Sequence, residues 1–188
     1  MPQHPVAAGK SSLDFVDQGI AFFHITAKRG GVYLDLACGA GRYSLALAKH
    51  LKDGSVIHAF DLWEEGIATL KEAAGDLDSA TIKPEVVDVT GSLPLEDGVV
   101  DTCFIATVMH DLPVAKREHV VREIRRVLAP HGALVLIEFK KIDHGPGPRK
   151  EHRIGEDDAD ALVLPQGFEK VASVSLGEFT YLVKYART

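Results

Sequence analysis

The stretch Val32-Tyr33-Leu34-Asp35-Leu36-Ala37-Cys38-Gly39-Ala40-Gly41 decides the fold of this chain. Its first five residues are mostly apolar and strand-forming, and glycines bracket the run, so residues 32–36 read as a short buried strand. Residues 38–41 form a glycine turn, and residues 43–51 continue as an amphipathic helix. A buried strand that turns tightly into a helix begins a strand–helix–strand unit, whose parallel sheet is covered on both faces. Ligands of such sheets bind beyond the carboxyl ends of the strands. Gly39 and Gly41 stand at that end, where the missing Cβ lets backbone approach a ligand and permits positive φ.

The same alternation continues outward. Residues 55–60 read as a second strand ending at Asp61, residues 64–74 as a helix, and residues 81–87 as a third strand ending at Asp88. A proline-containing loop over 91–98 leads to a fourth strand, 100–108. Pro113 fits the first turn of a helix running to Leu128, with Val114, Val120, Val121, Ile124 and Val127 as its apolar stripe. Residues 129–132 stop it before a fifth strand at 133–139. Upstream, Leu13, Val16, Ile20, Phe23 and Ala27 recur at helical spacing, with Ser11 or Ser12 as the cap and Lys28-Arg29-Gly30-Gly31 as the stop. Right-handed crossovers between the repeats give a doubly wound α/β sandwich.

After Lys141 the alternation ends. His144-Gly145-Pro146-Gly147-Pro148 is incompatible with regular structure. Residues 156–164 read as a short helix, and residues 169–176 and 179–187 as a closing hairpin. The organisation expected is a tail over 1–10 and one domain over 11–188. Within that domain, 11–140 form the ligand-binding core, and 141–188 supply a loop, a short helix and the hairpin on the substrate side.

Composition narrows the function classes. The 188 residues are 46% hydrophobic and 26% charged, which is the balance of a soluble globular protein. No apolar run approaches the ~20 residues of a spanning helix, and residues 1–10 lack the apolar core of a secretion signal. Only Cys38 and Cys103 are present, too few for a disulfide framework or a thiol metal cage, so a cytoplasmic setting is expected. The net charge of −6 opposes nucleic acid as a partner, because phosphate neutralisation supplies most of that affinity. A monomer or a homodimer is expected.

Acidic residues stand at or near the ends of three of the strands: Asp35, Asp61 and Asp88. Asp61, at the end of the second strand, is placed to accept hydrogen bonds from a ribose diol, and Asp88 from an exocyclic amine such as that of adenine. The dinucleotide fingerprint G-x-G-x-x-G is degraded, since Ser44 stands where its third glycine belongs. Asp35 adds a charge argument. A pyrophosphate beside a buried carboxylate meets repulsion of about 4 kcal/mol at a separation of ~4 Å in an effective dielectric near ~20, whereas a cationic ligand is attracted comparably. An adenosine compound bearing positive charge, such as S-adenosylmethionine, fits this set better than a nicotinamide dinucleotide.

Residues 34–41 resemble the first motif of class I S-adenosylmethionine-dependent methyltransferases, Asp61 that family's ribose-binding acid, and Val87-Asp88-Val89 its adenine-binding segment. Residues 93–101 are similar to the family's lead-in to strand four, and residues 125–134 to its passage from helix to strand five. The similarity spans roughly residues 13–140 in the family's order and is nearest to the small type 11 subgroup of ubiquinone/menaquinone-biosynthesis-like methyltransferases. It implies a Rossmann-like, seven-stranded, mostly parallel sheet with helices on both faces and an antiparallel last strand. It further implies that Asp35, Ala37, Cys38, Gly39 and Gly41 surround the methionine end. Asp61 and Leu62 would flank the ribose, Asp88 and Val89 the adenine, and Ala106 the methyl-bearing side. The expected partner is a small-molecule methyl acceptor.

His110-Asp111, just past the fourth strand, is the candidate pair for proton transfer, since histidine titrates near neutrality. The competing reading makes His110 a cap or a wall of the pocket. Cys38 reads as a small buried residue rather than a nucleophile. A metal site built from His110, His144 and His152 lacks any ligand spacing, so none is expected. Lys140, Lys141, His144, Arg149, Lys150, His152 and Arg153 gather basic charge, read as a solvated, flexible loop or else as a site for an anionic substrate. A cofactor-binding sensor without catalysis is the main alternative function, and a nicotinamide-dependent oxidoreductase a weaker one.

Overall fold

The computed structural model describes residues 11–26, 31–75 and 80–188. The tail at 1–10 and the basic stop at 28–30 lie outside them. The elements run α1 (Gln18–Ile25), β1 (Val32–Leu36), α2 (Arg42–Ala48), β2 (Ser55–Asp61), α3 (Glu64–Ala74), β3 (Ala80–Val86), β4 (Val100–Ala106), α4 (Val114–Val127), β5 (Leu128–Phe139), α5 (Glu156–Val163), β6 (Phe168–Ser175) and β7 (Thr180–Arg187). The seven strands form one sheet in the order β3-β2-β1-β4-β5-β7-β6. β7 runs antiparallel to both β5 and β6, and the remaining neighbours are parallel. This is the Rossmann-like sandwich expected. The strand order reverses between β1 and β4, which sets a crevice at their carboxyl ends.

Each face of the sheet carries its own apolar layer. Leu34, Leu36, Cys103, Ile105, Leu134 and Leu136 pack beneath α4 and α5, while Tyr33, Ile57, Phe104, Val135 and Ile137 pack beneath α1, α2 and α3. Alternate residues of one strand serve opposite layers, as the pleat requires. Phe104 is fully buried, and truncating such a side chain to alanine costs ~3–5 kcal/mol.

Three local expectations are corrected. The N-terminal helix does not start at Ser11 or Ser12. Residues 13–15 form one 3-10 turn, Val16 is extended, and α1 begins beyond Asp17, whose carboxylate accepts from the Ile20 N–H at 3.0 Å. Asp17 outcompetes Ser12 because Ser12 is buried and already bonded elsewhere. Residues 129–132 do not separate α4 from β5. Leu128 already pairs with Val100, and the segment is an irregularity within the ladder, with His131 at φ 63°. At Gly132 a Cβ would lie 2.9 Å from the Ala129 carbonyl oxygen, so only glycine fits there.

The basic loop after β5 is solvent-exposed along most of its length, as expected, but it is strapped from within by one buried arginine and is not a free coil. Arg153 is 5% exposed, and its guanidinium donates to the carbonyls of Pro148, Lys140, His144 and Pro146 while lying over the Phe139 ring. A planar group with five donors suits a ring of converging carbonyls. Lys141 pairs with Asp158 and Lys150 with Asp143, so much of the local charge is neutralised within the chain.

Candidate active site

The crevice between β1 and β4 is floored by a turn of unusual backbone. Ala37, Gly39 and Gly41 have φ of 61°, 57° and 72°, and Thr107, just past β4, has φ 53°. Positive φ in a β-branched residue is a true outlier, of the kind concentrated at functional sites. Thr107 is held there from two sides. Its N–H donates to the Ile137 carbonyl at 2.7 Å, and its hydroxyl to Ser12 Oγ at 2.9 Å, which in turn bonds the Tyr43 hydroxyl at 2.9 Å.

Asp61 joins the glycine turn to β2. Its Oδ2 accepts from the Gly39 N–H at 2.7 Å and its Oδ1 from the Trp63 N–H at 2.8 Å. Each carboxylate oxygen has a second lone pair to offer a ligand. A Cβ placed on Gly39 would meet nothing within 4 Å. Behind the turn there is no such space. A Cβ on Gly41 would strike Leu70 at 2.3 Å, and one on Gly66 would reach Trp63 at 2.3 Å and the Gly39 carbonyl oxygen at 2.9 Å. The turn is thus clamped by α3 from behind and open in front, as a backbone cradle for a ligand must be. Gly66 went unnoticed in the sequence because a lone helical glycine carries little signal.

Asp35 lies beneath the turn, 2% exposed, with Oδ2 accepting from the Ser44 hydroxyl at 2.6 Å. Burial pushes its carboxyl up to about 7, reinforced by the charge of Asp61 and opposed by Ser44. The same burial pushes the Cys38 thiol far above its usual range. Its sulfur leans on the Gly39 carbonyl, and a thiol kept protonated is a poor nucleophile.

Leu62, beside Asp61, is an exposed large apolar side chain, whereas Val89 is buried. Asp88 is exposed, and its Oδ1 accepts from the N–H and the hydroxyl of Thr90. The Val87 N–H donates to the Asp61 carbonyl at 2.9 Å, which ties the two strand ends together. Ala106 is partly buried at the end of β4.

His110 follows the Thr107 kink, its side chain 5% exposed. Its Nδ1 lies 2.7 Å from Glu138 Oε2 and its Nε2 3.5 Å from Asp111 Oδ2. Burial by itself disfavours the imidazolium, but the hydrogen bond and charge of Glu138, with Asp111, outweigh it and raise the His110 pKa. Glu138, which is fully buried, was not singled out in the sequence. The available signal was a carboxylate inside an otherwise apolar strand, since buried charges are rare unless paired.

His144 is exposed and pairs loosely with Glu178, so the structure does not gather His110, His144 and His152 into one cluster. Among the described residues, no group of three His, Cys, Asp or Glu side chains is arranged to hold a metal ion. A cleft of about 460 Å³ lies beside α5, lined by Lys140 and Lys141 of the basic segment, residues 155–158 and Tyr181; none of the candidate cofactor-binding or proton-transfer residues lines it.

Residues 34–136 match the methyltransferase domain family. The chain belongs to that family. It is 25% identical over 142 residues to a 2-phytyl-1,4-naphtoquinone methyltransferase of Trichormus variabilis, covering 74% of this chain and 58% of that one. It is 33% identical over 115 residues to the ubiquinone/menaquinone biosynthesis C-methyltransferase UbiE of Rickettsia prowazekii, covering 60% and 46%. The chain therefore spans about half the length of the curated relatives it matches. The crystal structure of a SAM-dependent methyltransferase from Aquifex aeolicus superposes with a TM-score of 0.84 at 25% identity, covering 95% of this chain and 93% of that one. Among the described residues of this methyltransferase-family chain, no helix is long and apolar enough to cross a membrane.

Proposed function

We propose that this chain is an S-adenosylmethionine-dependent methyltransferase acting on a small molecule. One observation carries the reading. The carboxylate ending β2 grips the glycine turn ending β1, and the turn's front face is empty where a Cβ would otherwise stand. That arrangement presents acceptors and close backbone together, which a nucleoside with a cationic tail requires.

When bound, the cofactor supplies an electrophilic methyl group on a sulfonium. Asp61 holds the ribose hydroxyls through the lone pairs its backbone bonds leave over, with Leu62 against the sugar. Asp88 and Val89 bound the adenine. Asp35 contributes negative charge beneath the methionine end, where Ala37, Cys38, Gly39 and Gly41 wrap the chain. Ala106 keeps the wall small on the methyl side, so an acceptor can come into line. Catalysis of this kind rests mainly on positioning, with His110 and Asp111 as the groups at hand for a proton.

Both curated relatives carry quinone chemistry in their names, which puts quinol-type small molecules first among acceptors to try. The net charge of −6 supports a partner other than nucleic acid, and the two scattered cysteines support a cytoplasmic setting, as a monomer or homodimer. The test is formation of S-adenosylhomocysteine with quinol-type acceptors and a metabolite extract. Turnover lost in Asp61→Ala supports the reading; no turnover with any acceptor refutes it.

A further inference from the structure

Glu138 sits where a structural carboxylate is hard to justify. It is the next-to-last residue of β5, fully buried, and its face is otherwise apolar. An ionised carboxylate in such a place is destabilising unless its lone pairs are filled. All three of its donors lie close. The His110 ring meets Oε2 at 2.7 Å, the His110 N–H meets Oε1 at 3.3 Å, and the Phe139 N–H meets Oε2 at 3.3 Å. Two of the three come from one residue, 28 positions away, which the Thr107 kink swings back over β5.

We infer that Glu138 is a positioning residue that fixes the orientation and charge of His110 for proton transfer, and hence that the acceptor has a proton to lose from the group that activates it. The inference rests on the methyltransferase reading above. A carboxylate only accepts, so it holds the proton on Nδ1 and leaves Nε2 as the ring nitrogen that exchanges. Glu138 also stabilises the imidazolium that forms. The charged groups around the pair are Asp111 beside Nε2 and Arg117 from α4, which donates to the His110 carbonyl at 2.8 Å; the neutral but titratable Tyr181 of β7 faces Glu138 across the ladder. In the step itself, the acceptor's O–H proton passes to Nε2. The acceptor's nucleophilic atom forms a bond to the methyl carbon, the carbon–sulfur bond breaks, and its electron pair returns to sulfur. Hydroxyl-bearing acceptors such as phenols and enols meet this requirement; acceptors already unprotonated gain nothing from the pair.

The experiment combines an NMR titration of His110 in the ligand-free chain with the pH dependence of kcat/KM for S-adenosylhomocysteine formation. In the wild type, the neutral ring is expected as the Nδ1–H tautomer with a pKa above the ordinary 6.5, and kcat/KM falls below that same pKa. In Glu138→Gln the His110 pKa is expected to drop by about one unit or more. The acid limb of the rate profile follows it downward, and the alkaline plateau falls. A structural lesion would lower the rate at every pH without moving the limb. That outcome, an unmoved His110 pKa, or a wild-type ring in the Nε2–H tautomer overturns the inference. The wild-type tautomer and limb decide it even if Glu138→Gln does not fold. Absence of turnover at any pH condemns the methyltransferase reading instead, and the titration, which needs no turnover, tells the two failures apart.

Discussion

Replacing Asp35 by asparagine removes a charge that the fold disfavours and that the proposed cofactor site draws on. Asp35 is 2% exposed, and its carboxyl titrates at about 7 against an ordinary value of 3.8. A raised folded-state value means that stability is fullest below the unfolded value and declines as pH rises through the folded one. Roughly three units at ~1.4 kcal/mol each amount to a loss of about 4 kcal/mol, accumulated between pH ~4 and ~7 and flat above. The asparagine amide retains an acceptor for the Ser44 hydroxyl and does not titrate. Urea unfolding of both proteins from pH ~4 to ~8.5 is the assay. The difference in stability between them cancels the contribution of His110, whose raised pKa acts over an overlapping window. Asp35→Asn should gain on the wild type by about 4 kcal/mol across that range, most of it before pH ~7. Cofactor binding should move the other way. A cationic ligand favours the carboxylate, so wild-type affinity should weaken about tenfold per unit below pH ~7. The affinity of Asp35→Asn should be weaker and indifferent to pH. A stability difference that stays constant with pH would refute the charge argument.

Gly66→Ala puts a methyl 2.3 Å from Trp63 and 2.9 Å from the Gly39 carbonyl oxygen. The expected cost is about 1–3 kcal/mol in unfolding free energy, with a raised cofactor Kd because the glycine turn is displaced. Arg153→Ala strips the donors from four loop carbonyls. Stability should fall by about 1–3 kcal/mol, and limited proteolysis should begin to cut within residues 143–149. Ser12→Ala breaks the hydroxyl chain from Thr107 to Tyr43, for an expected loss of ~1–2 kcal/mol in thermal unfolding.

The sheet was legible because its signals are local. Each apolar run ends in a glycine or an acid, and period and punctuation agree over residues 32–61. The antiparallel last strand came from family resemblance, and the wedging of β7 between β5 and β6 from neither source. The start of α1 was misjudged because the cap was decided by tertiary contacts: Tyr43 and Thr107 claim Ser12, which leaves Asp17 to begin the helix. Strand punctuation placed Asp35 in the first strand and Asp61 at the end of the second, where the structure has them, but did not show that Asp61 grips the turn through both oxygens. The His110–Glu138 contact lies three residues past a positive φ at Thr107, a backbone state no residue type at that position announces. The strap at Arg153 was hidden for a similar reason, since lysines and prolines around it read as solvated while its four carbonyl partners are backbone.

On the proposed function, the crevice between β1 and β4 holds a positively charged adenosyl compound gripped by Asp61. Isothermal titration of the wild type and of Asp61→Ala with S-adenosylmethionine and with NADH tests it in a single series. Micromolar binding of S-adenosylmethionine by the wild type, lost in Asp61→Ala and not matched by NADH, is the expected result. Binding of NADH in its place, or S-adenosylmethionine affinity undiminished by Asp61→Ala, would contradict it.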